Sequence, residues 1–89
     1  MKVLHYSTQY KKDFKKYRNQ PEKLQKLLEV LRMLENEQDL PKELKAHVLA
    51  GQYRNCMECH IESDFLLIWM NPNSCIIDIL RLGSHSELF

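Results

Sequence analysis

The chain has 89 residues, 44% of them hydrophobic and 28% charged, with a formal net charge of +1. That length carries one core and excludes a second domain, and the composition is that of a folded chain rather than a disordered one. The small net charge conceals a division: residues 1–26 hold eight Lys and Arg against two acidic residues, a balance of +6, and residues 27–89 hold five against ten, a balance of −5.

In chain order, Val3 to Tyr6 predicts a short strand. Thr8 to Arg18 places Tyr10, Phe14 and Tyr17 at i, i+4 and i+7, one aromatic face of a helix turned to the core. The same helix carries Lys11, Lys12, Lys15 and Lys16, followed by Arg18, Lys23 and Lys26. Such a run either tracks phosphates in a salt-dependent way or is a solvated helix face. Pro21 suits the first position of a second helix, in which Leu24, Leu27, Leu28, Leu31 and Leu34 make an apolar stripe as far as about Asn36. A polar link from Glu37 to Ala46, broken by Pro41, leads to three predicted strands: Gln52 to Glu62, Asp64 to Met70, and Cys75 to Leu82. Asn71, Pro72 and Asn73 supply the turn between the last two. No repeat, low-complexity tract or linker interrupts the chain, so residues 1–89 read as one domain.

The stretch CMECH, residues 56–60, has the spacing of a haem attachment sequence. In a strand, however, Cys56 and Cys59 point to opposite faces, with Tyr53, Asn55, Met57, Cys59 and Ile61 on one side and Arg54, Cys56, Glu58, His60 and Glu62 on the other. Both thiols then cannot reach one haem edge. Nor does Cys75 complete a second knuckle for zinc. No apolar run is long enough to span a membrane, Met1 to Tyr10 lacks a secretory pattern, and three cysteines do not close a disulfide framework. A cytoplasmic protein with reduced thiols and no cofactor is expected.

The histidines carry more. His60 sits on the polar face of its strand beside Glu58 and Glu62; His47 lies in the loop before it, Asp64 in the turn after it, and Arg81 and His85 close the last strand. Both glycines, Gly51 and Gly83, fall beside these positions. Imidazoles with an arginine and a carboxylate suit proton transfer near neutral pH. His5, with no such company, reads as structural. A rival arrangement takes Glu58, His60, Glu62 and Asp64 as ligands of a metal-dependent nuclease.

The segments AHVLAGQY, ECHIESDFLLIW and ILRLGSHSELF, in that order after a β-α-α start, resemble the YafQ branch of the RelE/ParE superfamily of bacterial type II toxin–antitoxin toxins. The resemblance covers most of the chain and is strongest from Leu44 to the end. It departs in Phe65, where many relatives have Trp, in Trp69, where many have Tyr, and in a lower overall charge. It implies a small α+β fold, an antiparallel sheet packed by two N-terminal helices in the order β-α-α-β-β-β. It also implies a ribosome-dependent endoribonuclease that cuts messenger RNA in the A site, bound by a cognate antitoxin in a hetero-oligomer. The functional set it implies is His47, His60, Asp64, Arg81, His85 and Phe89.

With that identity, RNA supplies its own 2′-OH nucleophile, and the expected roles are His47 as base, His85 as acid, the two being exchangeable, and Arg81 as phosphate clamp. His60 and Asp64 form an orienting pair, and no metal is needed. Phe89 is a stacking platform or a terminal core plug, and Lys11, Lys12, Lys15 and Lys16 are contacts to RNA. A gyrase-directed toxin of the ParE kind is the remaining alternative.

Overall fold

A computed structural model describes all 89 residues. Strand β1 (Val3–Tyr6) leads into helix α1 (Thr8–Lys15) and helix α2 (Pro21–Glu35), followed by β2 (His47–Val48), β3 (Met57–Glu62), β4 (Phe65–Met70), β5 (Ile76–Gly83) and a single closing turn of helix, α3 (His85–Leu88). The expected α+β fold is present. Its sheet is mixed rather than antiparallel: the order is β1-β5-β4-β3-β2, and β1 runs parallel to β5 while the other pairs are antiparallel. The two-helix crossover between β1 and the hairpins allows that parallel edge, which a hairpin does not.

Local chemistry explains the elements. Ser7 caps α1 by accepting from the amide of Tyr10, and Pro21 opens α2, where an amide would go unpaired. Strand β4, FLLIWM, is central and nearly wholly buried, so its side chains alternate between two cores rather than between core and water. Phe65, Leu67 and Trp69 join Tyr10, Tyr17, Leu27, Val30, Leu31, Leu34 and Ile79 under the helices. Leu66 and Ile68 face the other way, into a smaller cluster with Cys56 and Leu88. Cys59 belongs to the first cluster and Cys56 to the second, so the two thiols of CMECH do lie on opposite faces.

The expected strand Gln52 to Glu62 starts only at Met57. Residues Gly51–Tyr53 form a 3-10 turn, with Gly51 (φ 70) and Asn55 (φ 70) both left-handed, a conformation open to Gly and tolerated by Asn. That turn carries Tyr53 to the second cluster, opposite to the face assigned to it by alternation. At the far end of β3 the register shifts between His60 and Glu62. Glu62 accordingly leaves the face of His60 and takes ion pairs with Lys23 and with Lys26 (2.9 Å) on α2. No helix is long and apolar enough to cross a membrane.

Candidate active site

The site lies on the sheet face turned away from α1 and α2. Strand register builds it in two rows: His47, Glu58, Ile68 and Arg81 are successive cross-strand partners, and one step along are His60, Leu66 and Gly83. After Gly83 the chain turns back into α3, which brings His85 up to the rows. Ser84 and Glu87 close that turn with a reciprocal capping box. The ring centroids of His47 and His60 are 6.3 Å apart, those of His60 and His85 5.5 Å, and those of His85 and Phe89 6.4 Å. Three imidazoles separated by up to 38 positions in sequence thus form one line that ends on an exposed aromatic ring.

Each imidazole has a fixed partner. Asp64 Oδ1 accepts from the His85 backbone amide at 2.8 Å and from the His85 ring Nδ1 at 2.7 Å. The His85 amide and then its ring hold the Asp64 carboxyl below the usual range. A carboxylate only accepts, so Nδ1 carries a proton and Nε2 is left to face a substrate. His47 Nδ1 lies 2.7 Å from the carbonyl of Lys45, itself left-handed at φ 53. A carbonyl likewise only accepts, which puts a proton on Nδ1 and turns His47 Nε2 into the site, toward Glu58.

Asp64 therefore pairs with His85, not with His60 as expected from sequence. The partner of His60 is Glu58, whose Oε1 lies 3.2 Å from Nε2 of His60 and 3.5 Å from Nε2 of His47. Glu58 is 3% exposed, and two imidazoles converge on one of its oxygens. Sequence reasoning had Glu58 only as a neighbour of His60 or as a metal ligand. Its place in the alternation of β3, on the face of His60, was the signal available. The four residues of the metal-dependent alternative do not converge, since Glu62 turns to α2 and Asp64 to His85.

Arg81 reaches the site but is not free. Its Nε donates to Asp13 Oδ2 at 2.8 Å, its Nη2 to Asp13 Oδ1 at 3.3 Å and its Nη1 to the Tyr53 hydroxyl at 3.0 Å. The Asp13 pairing raises the guanidinium pKa further. Three of five N–H groups are thus committed and two remain. Asp13 was not singled out from the sequence, where it reads as one acid in a basic run.

Phe89 is 57% exposed, so it does not plug the core; Leu88, at 3%, does. The Phe89 ring meets Tyr53 edge-on, with centroids 5.4 Å apart. Lys11, Lys12, Lys15 and Lys16 are all exposed on α1. Lys11 and Lys15 flank a cleft of about 580 Å³ between Tyr6, Tyr10, Phe14 and Leu31 that shares no residue with the imidazole line, whereas Lys16 reaches Glu87 of α3 at 3.6 Å. His5 stays outside the site, beside Asp78 at 3.3 Å.

Known proteins share this architecture. The family described as bacterial toxin of type II toxin-antitoxin system, YafQ, matches residues 2–89. The mRNA interferase toxin YafQ of Escherichia coli strain K12 is 31% identical over 87 residues, covering 97% of this chain and 94% of that protein. The crystal structure of a metal-bound toxin from Helicobacter pylori superposes with a TM-score of 0.89 at 34% identity over 100% of both chains. The toxin-like chain of the E. coli DinJ-YafQ toxin-antitoxin complex gives 0.87 at 30% identity, over 99% of this chain and 97% of that one. With a match that runs from the first strand to the final phenylalanine, the chain belongs to the YafQ family of bacterial toxins of type II toxin–antitoxin systems.

Proposed function

We propose that this toxin cuts messenger RNA in the ribosomal A site by acid–base catalysis without a metal, and that a cognate antitoxin holds it inactive in a hetero-oligomer. As a YafQ toxin the chain is an endoribonuclease of the mRNA interferase kind. The observation that supports the mechanism best is His85 held by Asp64 through ring and backbone together, with two further imidazoles in line behind it. His47 Nε2 takes the proton of the 2′-OH, and the Glu58 carboxylate 3.5 Å away stabilises the imidazolium so formed. That oxygen attacks the adjacent phosphorus, and His85 Nε2 gives a proton to the departing 5′-oxygen. The two uncommitted N–H groups of Arg81 stabilise the phosphorane. Glu58 orients His47 and His60, and Phe89 offers its face to an unstacked base. The products are a 2′,3′-cyclic phosphate and a 5′-hydroxyl.

Ribosome dependence fits the shape of the site. His47 and His85, at the two ends of the line, are exposed while His60 between them is half-buried, so much of the orientation of a flexible strand has to be supplied from outside. The lysines of α1 are available for ribosomal RNA. A gyrase-directed toxin has no use for three aligned imidazoles.

The test is single-turnover cleavage on ribosomes with a defined A-site codon, using toxin stripped with EDTA and desalted beforehand, and again toxin preloaded with a transition metal, because the H. pylori relative is metal-bound. The magnesium that holds the ribosome together is kept constant throughout. Stripped wild type should cut as fast as loaded wild type and leave 5′-hydroxyl ends. His85→Ala should bind ribosomes but cut about 10²- to 10⁴-fold more slowly. Cleavage that is lost on stripping and restored by the metal, or 5′-phosphate ends, replaces this reading with a metal-dependent one.

A further inference from the structure

Asp13 is 1% exposed although it sits on the basic helix α1. Strand β1 pairs with β5 only as far as Ile79, and beyond that point α1 covers the open edge: Ser7 Oγ donates to the Leu80 carbonyl at 2.8 Å and the Leu82 amide donates to Asp13 Oδ2 at 3.0 Å. Capping that edge needs one oxygen and no charge. The Asp13 carboxylate does more, gripping Arg81 through both Nε and Nη2. On its other side Arg81 holds the Tyr53 hydroxyl, which in turn donates to the carbonyl of Leu88 at 3.1 Å, while the Tyr53 ring braces Phe89. One guanidinium thus ties α1, the turn before β3 and the C-terminal tail together.

We propose that Asp13 and Tyr53 are positioning residues for RNA cleavage: through Arg81 they fix the two N–H groups presented to the phosphate, and through Leu88 they set the tail that carries His85 and Phe89. This rests on the reading of Arg81 as the phosphate clamp. A guanidinium gripped in a planar fork loses the rotamer freedom that otherwise blurs where its remaining donors point. Misplacement of about 1 Å at a reacting centre costs about 10²-fold in rate.

The experiment is single-turnover cleavage of A-site messenger at several toxin concentrations, which separates maximal rate from half-saturation, with melting temperatures measured on the same samples. Asp13→Asn and Tyr53→Phe should each lower the maximal rate about 10- to 100-fold while folded, and leave half-saturation unchanged. In an Arg81→Gln background, Asp13→Asn should bring no further loss of rate, because it acts through the arginine and also removes a carboxylate left buried and unpaired. Losses that add to that of Arg81→Gln, or full rate in both folded single variants, overturn the proposal. If Asp13→Asn does not fold, Tyr53→Phe, which removes one oxygen and keeps the ring, decides alone. Wild type that fails to cut on ribosomes counts instead against the proposed activity, so the two failures are distinguishable.

Discussion

At the scale of single residues, the three imidazoles of the proposed site differ in what holds them. Asp64 holds His85 at two atoms, a backbone carbonyl turns His47, and Glu58 stands between His47 and His60. Asp64→Asn keeps an oxygen for the His85 amide but removes the charge beside the ring. It should slow cleavage by less than His85→Ala, about 10- to 100-fold, with an unchanged fold by circular dichroism. A rate equal to wild type would show that the ring needs no anchor. The thiols give a second prediction. Burial pushes the Cys59 thiol up to about 12 and raises that of Cys56, while Cys75 is exposed. Native protein should therefore titrate one thiol per chain with a disulfide reagent, and three after denaturation. Cys59→Ser should lower stability by about 1–3 kcal/mol, read from urea unfolding, without touching the chemistry.

Among the elements, α3 is the one that makes or unmakes the site. It is a single turn, too short to stand alone, and it is held by Glu87. Glu87 Oε1 accepts from the Ser84 amide at 2.8 Å and from the Tyr17 hydroxyl at 2.7 Å. The Ser84 amide and the Tyr17 hydroxyl together hold the Glu87 carboxyl at about 2, against an ordinary value of 4.5. A carboxyl depressed by folding stabilises the folded form above its unfolded value and loses that contribution as pH falls toward the folded one. The tail should therefore loosen between about pH 4.5 and pH 2, seen as deprotection of the 84–89 amides in hydrogen exchange. Glu87→Gln should show weaker protection at neutral pH with little change on acidification. A Cβ on Gly83 would lie 2.8 Å from Glu87 Oε1, so Gly83→Ala should mimic the acid state. This level of organisation was the least legible in the sequence. The helices, the β4–β5 hairpin and the identity of His47, His60 and His85 could be read from period, turn chemistry and the histidine setting. The pairing of Asp64 with His85 could not, because it depends on a tail folding back across 21 positions. The end of β3 escaped too, because a one-residue bulge after His60 moves Glu62 to the helix side and no alternation rule contains it.

For the whole molecule, the question is what the basic N-terminal third is for. Its seven cations past Lys2 do not form one field, because Glu62 takes Lys23 and Lys26, and Lys16 lies against Glu87 beside the site. Lys11 and Lys15 form one i, i+4 stripe along the aromatic cleft, and Lys12 and Lys16 form another that leads toward α3. If α1 docks on ribosomal RNA, each phosphate contact contributes roughly 0.7 to 0.9 to the slope of log affinity against log salt. Replacing Lys11, Lys12, Lys15 and Lys16 together with Gln should flatten that slope by about 2 to 4 and weaken ribosome binding, while the fold and the rate once bound persist. The exposed Lys16–Glu87 pair is worth about 1 kcal/mol or less, so its loss does not account for such a change. Comparing the two stripes as pairs locates the contact. A flatter slope from Lys12→Gln/Lys16→Gln alone puts the ribosome on the side of α1 next to the imidazoles, where docking also aligns the messenger. An equal effect from both pairs wraps the helix on both sides and buries the aromatic cleft. An unchanged slope across the quadruple variant makes these lysines a solvated face, and the orientation that an open site requires then has to come from α3 and Phe89 alone.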